Sequence, residues 1–224
     1  MEDLTYIISL ILMLIIPLTA SIRLHATYNS CKKKKNKLNL TGRDVAQKIL
    51  DENGLVSIYI VETNGTMTDN YDPSRKVLRL SQEVYSGDSI ASIAIAAHES
   101  GHAVQDNENY SWFKVRKNIY PVVALGERFS YIILLAGLFL HSMNLIYAAV
   151  ILMLFGLTFE IVTLPVELDA SKRALQLLQD YNLIDNSDLP TAKKMLKAAA
   201  YTYIAAIFTT IAQMIYYASS DRRR

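Results

Sequence analysis

The sequence is short of cysteine and of charge. Cys31 is the one cysteine in 224 residues, which excludes a disulfide framework and a cysteine-cluster metal site. Charged residues make up 20%, below the roughly 25% of an average soluble domain. The chain is therefore not a disordered one, because disorder needs a high charge and little apolar content. A formal net charge of +2 provides no basic excess, so nucleic acid is not expected as the main partner. What the sequence has instead is apolar residues, 51% of the total, and their distribution decides what kind of protein this is.

They are concentrated in blocks. Leu4–Leu24 has no charge before Arg23. A second block covers Ile119–Leu140 and is interrupted by Glu127 and Arg128. A third covers Leu145–Leu164, with Glu160 near its end, and a fourth, Ala198–Ala218, carries no charge at all. About 20 apolar residues cross a hydrocarbon core of about 30 Å, so four transmembrane helices are expected. The short stretch His141-Ser142-Met143-Asn144 makes the middle two a hairpin. Glu2 and Asp3 precede the first block where a cleaved signal would carry positive charge, so this block reads as a retained anchor.

Basic residues set the expected orientation. Arg23–Lys117 holds 14 of the 23 lysines and arginines, including the run Lys32-Lys33-Lys34-Lys35 and Lys37. Lys172, Arg173, Lys193, Lys194 and Lys197 lie between the third and fourth blocks, and the hairpin tip has none. Residues 25–117 and 165–197 are thus expected in the cytoplasm, in a multi-pass cell-membrane protein. Four spans then put Arg222-Arg223-Arg224 outside, against the rule. The lysine run is first a topology signal. It could also meet anionic headgroups, and Cys31 beside it could be acylated.

The expected division is a transmembrane helix over 1–24, a folded unit over 25–117, a helical hairpin over 118–164, helices over 165–197 and a last helix and tail over 198–224. Within 25–117, Thr41 and Asp44 read as the start of a helix with Val45, Ile49 and Leu50 inward. Asn53-Gly54 ends that helix. Leu55–Glu62 reads as a strand, Thr66–Thr68 as the start of another, and Lys76–Leu80 as a half-exposed third. Asp88 or Ser89 caps an alanine-rich run through Ala103 that reads as a buried helix. The expected fold class is an α+β membrane protein, with about four transmembrane helices and a small α/β unit in which a helix that carries a candidate metal motif lies behind a short sheet.

That motif is His98-Glu99-Ser100-Gly101-His102. Residues four apart share one helix face, so both imidazoles reach one ion. Zn²⁺ suits them, and a catalytic zinc takes three protein ligands plus water. Glu99, beside the first histidine, is expected as the general base that takes the water's proton and passes it to the leaving amine. The third ligand should be a carboxylate on the same side of the membrane. Glu167 fits, with Asp169 as runner-up and Pro165 as the expected first turn of a new helix.

His98–His102 followed by Glu167-Leu168-Asp169-Ala170-Ser171 resembles the gluzincin pattern, as in membrane peptidases of the HtpX and CAAX-prenyl-protease type. In those, an aspartate stands where this chain has Ser171. The chain is more closely similar to the membrane-bound neutral zinc metallopeptidases of the YugP type. The stretches that carry this likeness are Thr41–Ala46, Asp51–Leu55, Tyr71-Asp72-Pro73, the zinc helix, Leu164–Ser171 and Ala198–Tyr203. The resemblance implies zinc peptidase activity at a membrane, with His98, His102 and Glu167 as ligands and Glu99 as catalytic base.

The expected function is a membrane-anchored zinc endopeptidase acting on membrane-associated proteins or peptides. One alternative is an intramembrane protease of the site-2 type, which the charged Asp106-Asn107-Glu108 after the motif disfavours. Another is a non-enzymatic adaptor with a structural zinc, which would need no Glu99. Lys76–Leu80 is expected to take substrate by strand addition. Arg173 and Tyr203 are weak candidates for an oxyanion partner. Glu127, Arg128 and Glu160 are expected to pair among themselves. The sequence defines no oligomeric state.

Overall fold

Each apolar block is a helix in the computed structural model, which describes residues 2–218. In chain order the elements are α1 (Glu2–Lys32), α2 (Gly42–Glu52), β1 (Tyr59–Thr63), β2 (Asn70–Asp72), β3 (Val77–Ser81), α3 (Gln82–Tyr85), α4 (Ile90–Asn107), α5 (Ser111–Phe139), α6 (Met143–Asp180) and α7 (Leu189–Ala218). Helices α1, α5, α6 and α7 are each long and apolar enough to cross a membrane. Arg222–Arg224, whose placement the charge rule disfavours, lie outside the described residues.

The described residues divide into two compact units, the first made of 2–22, 114–165 and 201–218. Leu134 of α5 packs there with Ile146, Ala149 and Met153 of α6. The opposite faces stay apolar and uncovered: Leu135 is 67% exposed and Phe139 84%. In water that surface would be costly, whereas lipid solvates it. The hairpin turn is tighter than expected. Only Leu140, His141 and Ser142 separate α5 from α6, with His141 in the left-handed region at φ 52°. Glu160 accepts a hydrogen bond from Thr210 Oγ1 of α7 at 3.0 Å.

The second unit comprises Arg23–Phe113 and Val166–Ala200. Helix α2 starts on a complete capping box: Thr41 Oγ1 accepts from the Asp44 N–H at 3.1 Å, and Asp44 accepts from the Thr41 N–H at 2.9 Å. The strands form one sheet in the order β1-β3-β2, with β1 parallel and β2 antiparallel to β3. The core joins Val45, Ile49 and Leu50 of α2, Leu78 and Leu80 of β3, Ile93 and Ala97 of α4, and Val166, Ala174 and Leu178 of α6. The zinc motif therefore lies on a helix packed against a small sheet, as an α+β fold requires.

Several local expectations are corrected. The first strand begins at Tyr59, not Leu55, because Leu55 and Ile58 turn into the core. Thr66–Thr68 is bent and irregular rather than strand, and the second strand is Asn70–Asp72. Within β3, residues 77–79 pair on both sides, with β1 and with β2, so this part of Lys76–Leu80 is not an edge open to a substrate strand. Pro165 does not open a helix. It lies inside α6, because its fixed φ suits a helix interior and the loss of one hydrogen bond is tolerated in a long apolar helix.

The lysine run is also more constrained than a loose headgroup-binding segment. Lys32 pairs with Glu83, which Tyr28 also contacts, while Lys35 pairs with Asp88 and Lys37 with Asp185. Cys31 is 1% exposed and packed beside Met195, so an acyl-transfer enzyme cannot reach it.

Candidate metal centre

The centre is built where two helices approach closely. Helix α4 starts at Ser89, whose side chain accepts from the Ser92 N–H, and alanine carries it through its first two turns. His98, Gly101, His102 and Gln105 fall along one face by the three-and-four spacing. Opposite them, α6 presents Val166, Glu167, Ala170, Ser171 and Ala174. Gly101 lets the backbones approach: a Cβ added there would lie 3.0 Å from the Ala170 carbonyl oxygen.

That approach brings together three residues expected from the sequence. His98 Nε2 lies 3.1 Å from Glu167 Oε2, and His102 Nε2 lies 3.5 Å from the same oxygen. One ligand atom from each residue lies within 4.8 Å of the others. Ligands 2.0–2.1 Å from a tetrahedral zinc are about 3.3 Å apart, so the two separations from Glu167 Oε2 bracket what such an ion needs. Two imidazoles and a carboxylate are also a donor set of catalytic zinc, leaving a fourth position for water.

Burial of the Glu167 carboxyl, which is 2% exposed, opposes its ionisation. His102 and His98 outweigh burial and hold it well below the usual carboxylate range. Asp169, the runner-up, is engaged elsewhere. Its Oδ2 accepts from Gln105 Nε2 at 2.8 Å and from Arg173 Nε at 2.5 Å. Arg173 also reaches Glu108 at 2.6 Å and lies over the Tyr110 ring. Partial burial works against its charge, but the two carboxylates raise its pKa overall. With both carboxylates engaged, Arg173 is a poor oxyanion donor. Tyr203 belongs to the other unit.

The far nitrogens of the histidines are held as well. Ser171 Oγ lies 3.3 Å from His98 Nδ1, at the position where the gluzincin pattern has aspartate. Gln105 Oε1 lies 2.9 Å from His102 Nδ1. Gln105 was missed from the sequence, although its place three residues after His102 on a helix was a usable signal. Glu99 sits next to His98 on α4 and is partly exposed.

Comparison with known proteins extends the likeness beyond the site. Residues 6–221 match the family described as "Putative neutral zinc metallopeptidase". "Putative membrane protease YugP" of Bacillus subtilis (strain 168) is 38% identical over 196 residues, covering 88% of this chain and 87% of that protein. No solved structure matches. The match spans the membrane helices as well as the metal centre, and by it the chain belongs to the neutral zinc metallopeptidase family, with zinc as its cofactor.

Proposed function

We propose that the chain is a membrane-anchored zinc endopeptidase in which His98, His102 and Glu167 hold the ion and Glu99 is the general base. The convergence of those three side chains within 4.8 Å carries this reading. Zinc, when bound, supplies a Lewis acid that brings the pKa of a water to about 7. Glu99 accepts that water's proton and returns it to the amine as the peptide bond breaks, a role that contributes about 10²- to 10⁴-fold. Ser171 and Gln105 hold the imidazoles in the required rotation.

Substrates are membrane or membrane-proximal proteins, met at the cytoplasmic surface. The supporting observations are the basic residues of 25–117 and 165–197 and the packing of α4 into the core of its own unit. Helix α4 is not among the four helices apolar and long enough to cross a membrane, which weighs against the site-2 arrangement.

The test uses full-length protein in detergent. Glu99→Gln should keep its zinc and lose peptide cleavage by at least about 100-fold. His98→Ala should lose the zinc itself. Cleavage that survives Glu99→Gln would remove the assigned base, and full biological function in that variant would favour a structural zinc.

A further inference from the structure

We infer that Gln105 is a positioning residue that selects the metal-facing nitrogen of His102 and clamps the Glu167 turn of α6 against α4. The inference rests on the zinc-ligand set proposed above. Gln105 is fully buried, 0% exposed, near the end of α4. Its amide nitrogen donates to the Val166 carbonyl oxygen at 2.9 Å and to Asp169 Oδ2 at 2.8 Å. A carbonyl and an ionised carboxylate only accept. The amide therefore cannot be flipped, and Oε1 is the atom that faces His102 Nδ1 at 2.9 Å.

An amide oxygen also only accepts. The proton of His102 is thus on Nδ1, and Nε2 is the nitrogen left for a metal. The two acceptors of the Gln105 amine flank Glu167 in sequence, one residue before it and two after. The same side chain that orients one ligand therefore pins the helical turn carrying another. Asp169 is pinned in turn by Arg173, and Arg173 by Glu108 at the end of α4. A buried amide adds stability only when its groups are satisfied. Packing between α4 and α6 needs only an apolar side chain here, so the amide serves the site rather than the core.

The experiment measures zinc affinity by chelator competition on the full-length protein in detergent, with melting in excess chelator as a separate measure of the fold. Loss of an outer partner of a ligand histidine typically costs about 10- to 100-fold in metal affinity, and Gln105→Met should show a loss of that size. A second measurement needs no Gln105 variant: imidazole ¹⁵N spectra of the metal-free full-length protein, with the His102 signals assigned by their loss in His102→Ala, should show the Nδ1–H tautomer at His102. Parent-like affinity in Gln105→Met, or the Nε2–H tautomer at His102, overturns the inference. If Gln105→Met does not fold, the spectrum decides alone. Zinc absent from the parent, or retained by His98→Ala, would overturn the ligand set itself. Zinc lost in His98→Ala but kept in Gln105→Met would overturn only the role of Gln105.

Discussion

The close approach of α4 to α6 at Gly101 invites a single-atom perturbation, Gly101→Ala. The new methyl would lie 3.0 Å from the Ala170 carbonyl oxygen and 3.6 Å from its Cα. Carbon–oxygen contacts settle at about 3.3–3.6 Å, so α4 and α6 must part by roughly 0.3 Å. Both groups in contact belong to helix frameworks, so no side-chain rotation relieves the clash. Alanine for glycine inside a helix gains about 1 kcal/mol, and overpacking costs about 1–3 kcal/mol. The net effect on stability is a loss of about 0–2 kcal/mol. The effect on zinc is larger in kind, because metal–ligand distances hold to about ±0.2 Å and Ala170 lies three residues from Glu167. Gly101→Ala should therefore melt close to the parent in excess chelator while its zinc dissociation constant rises at least about tenfold, the scale on which a disturbed outer contact weakens a site. Gly126→Ala is the control: its methyl meets Phe155 Cβ at an ordinary 3.6 Å, and zinc affinity should not change. Parent-like zinc binding by Gly101→Ala would refute the idea that this approach sets the ligand spacing.

Thr41→Ala removes one side of the α2 capping box and should cost about 1 kcal/mol near neutral pH. The Thr41 hydroxyl, and then its N–H, hold the Asp44 carboxyl below its ordinary value. A depressed carboxylate stabilises the fold above its unfolded pKa, about 3.9, and that contribution disappears as pH falls through the folded value. The cost of Thr41→Ala in denaturant titrations should therefore shrink toward acid, and an equal cost at neutral and acid pH would contradict this. A topology test uses the burial of Cys31, 1% exposed, which keeps background labelling low. Ser142→Cys in intact cells should react with an impermeant thiol reagent and Lys33→Cys should not; the reverse result would invert the proposed orientation.

Much of the architecture was legible because it rests on blocks of composition and on local chemistry. Four apolar stretches of bilayer length had to become helices, since only a helix satisfies its backbone within one segment in lipid. Thr41 with Asp44, and Ser89 before the alanine run, marked helix starts through side chains that bond the backbone beside them. The strands were read less well. Leu55 and Ile58 are apolar for core contact rather than for pairing, and periodicity does not separate the two. Pro165 misled because its local signal means a helix start in water but is compatible with the interior of a long apolar helix. Gln105 was passed over because an amide has no metal or proton chemistry of its own. Its role arises only when α6 brings a carbonyl, a carboxylate and an imidazole around it.

Ser171 shows how such a site tolerates a departure from its pattern. The gluzincin pattern has an aspartate at this position. The hydroxyl oxygen takes that place at 3.3 Å from His98 Nδ1, and a neutral amide does the same for His102. Both imidazoles are therefore oriented without an added negative charge, and the nearby Asp169 charge is matched by Arg173. Among the described residues, the Glu167 carboxylate is set directly against the imidazole nitrogens that face the centre. A neutral acceptor raises the basicity of a ligand imidazole less than a carboxylate does, so the ion here should be held less tightly and remain a stronger acid toward its water. Ser171→Asp places a carboxylate beside His98 and should tighten zinc binding. Ser171→Ala should weaken it by about tenfold. Chelator competition on the same preparations reads both shifts, and equal affinity in Ser171→Ala and the parent would show that the hydroxyl does not hold His98.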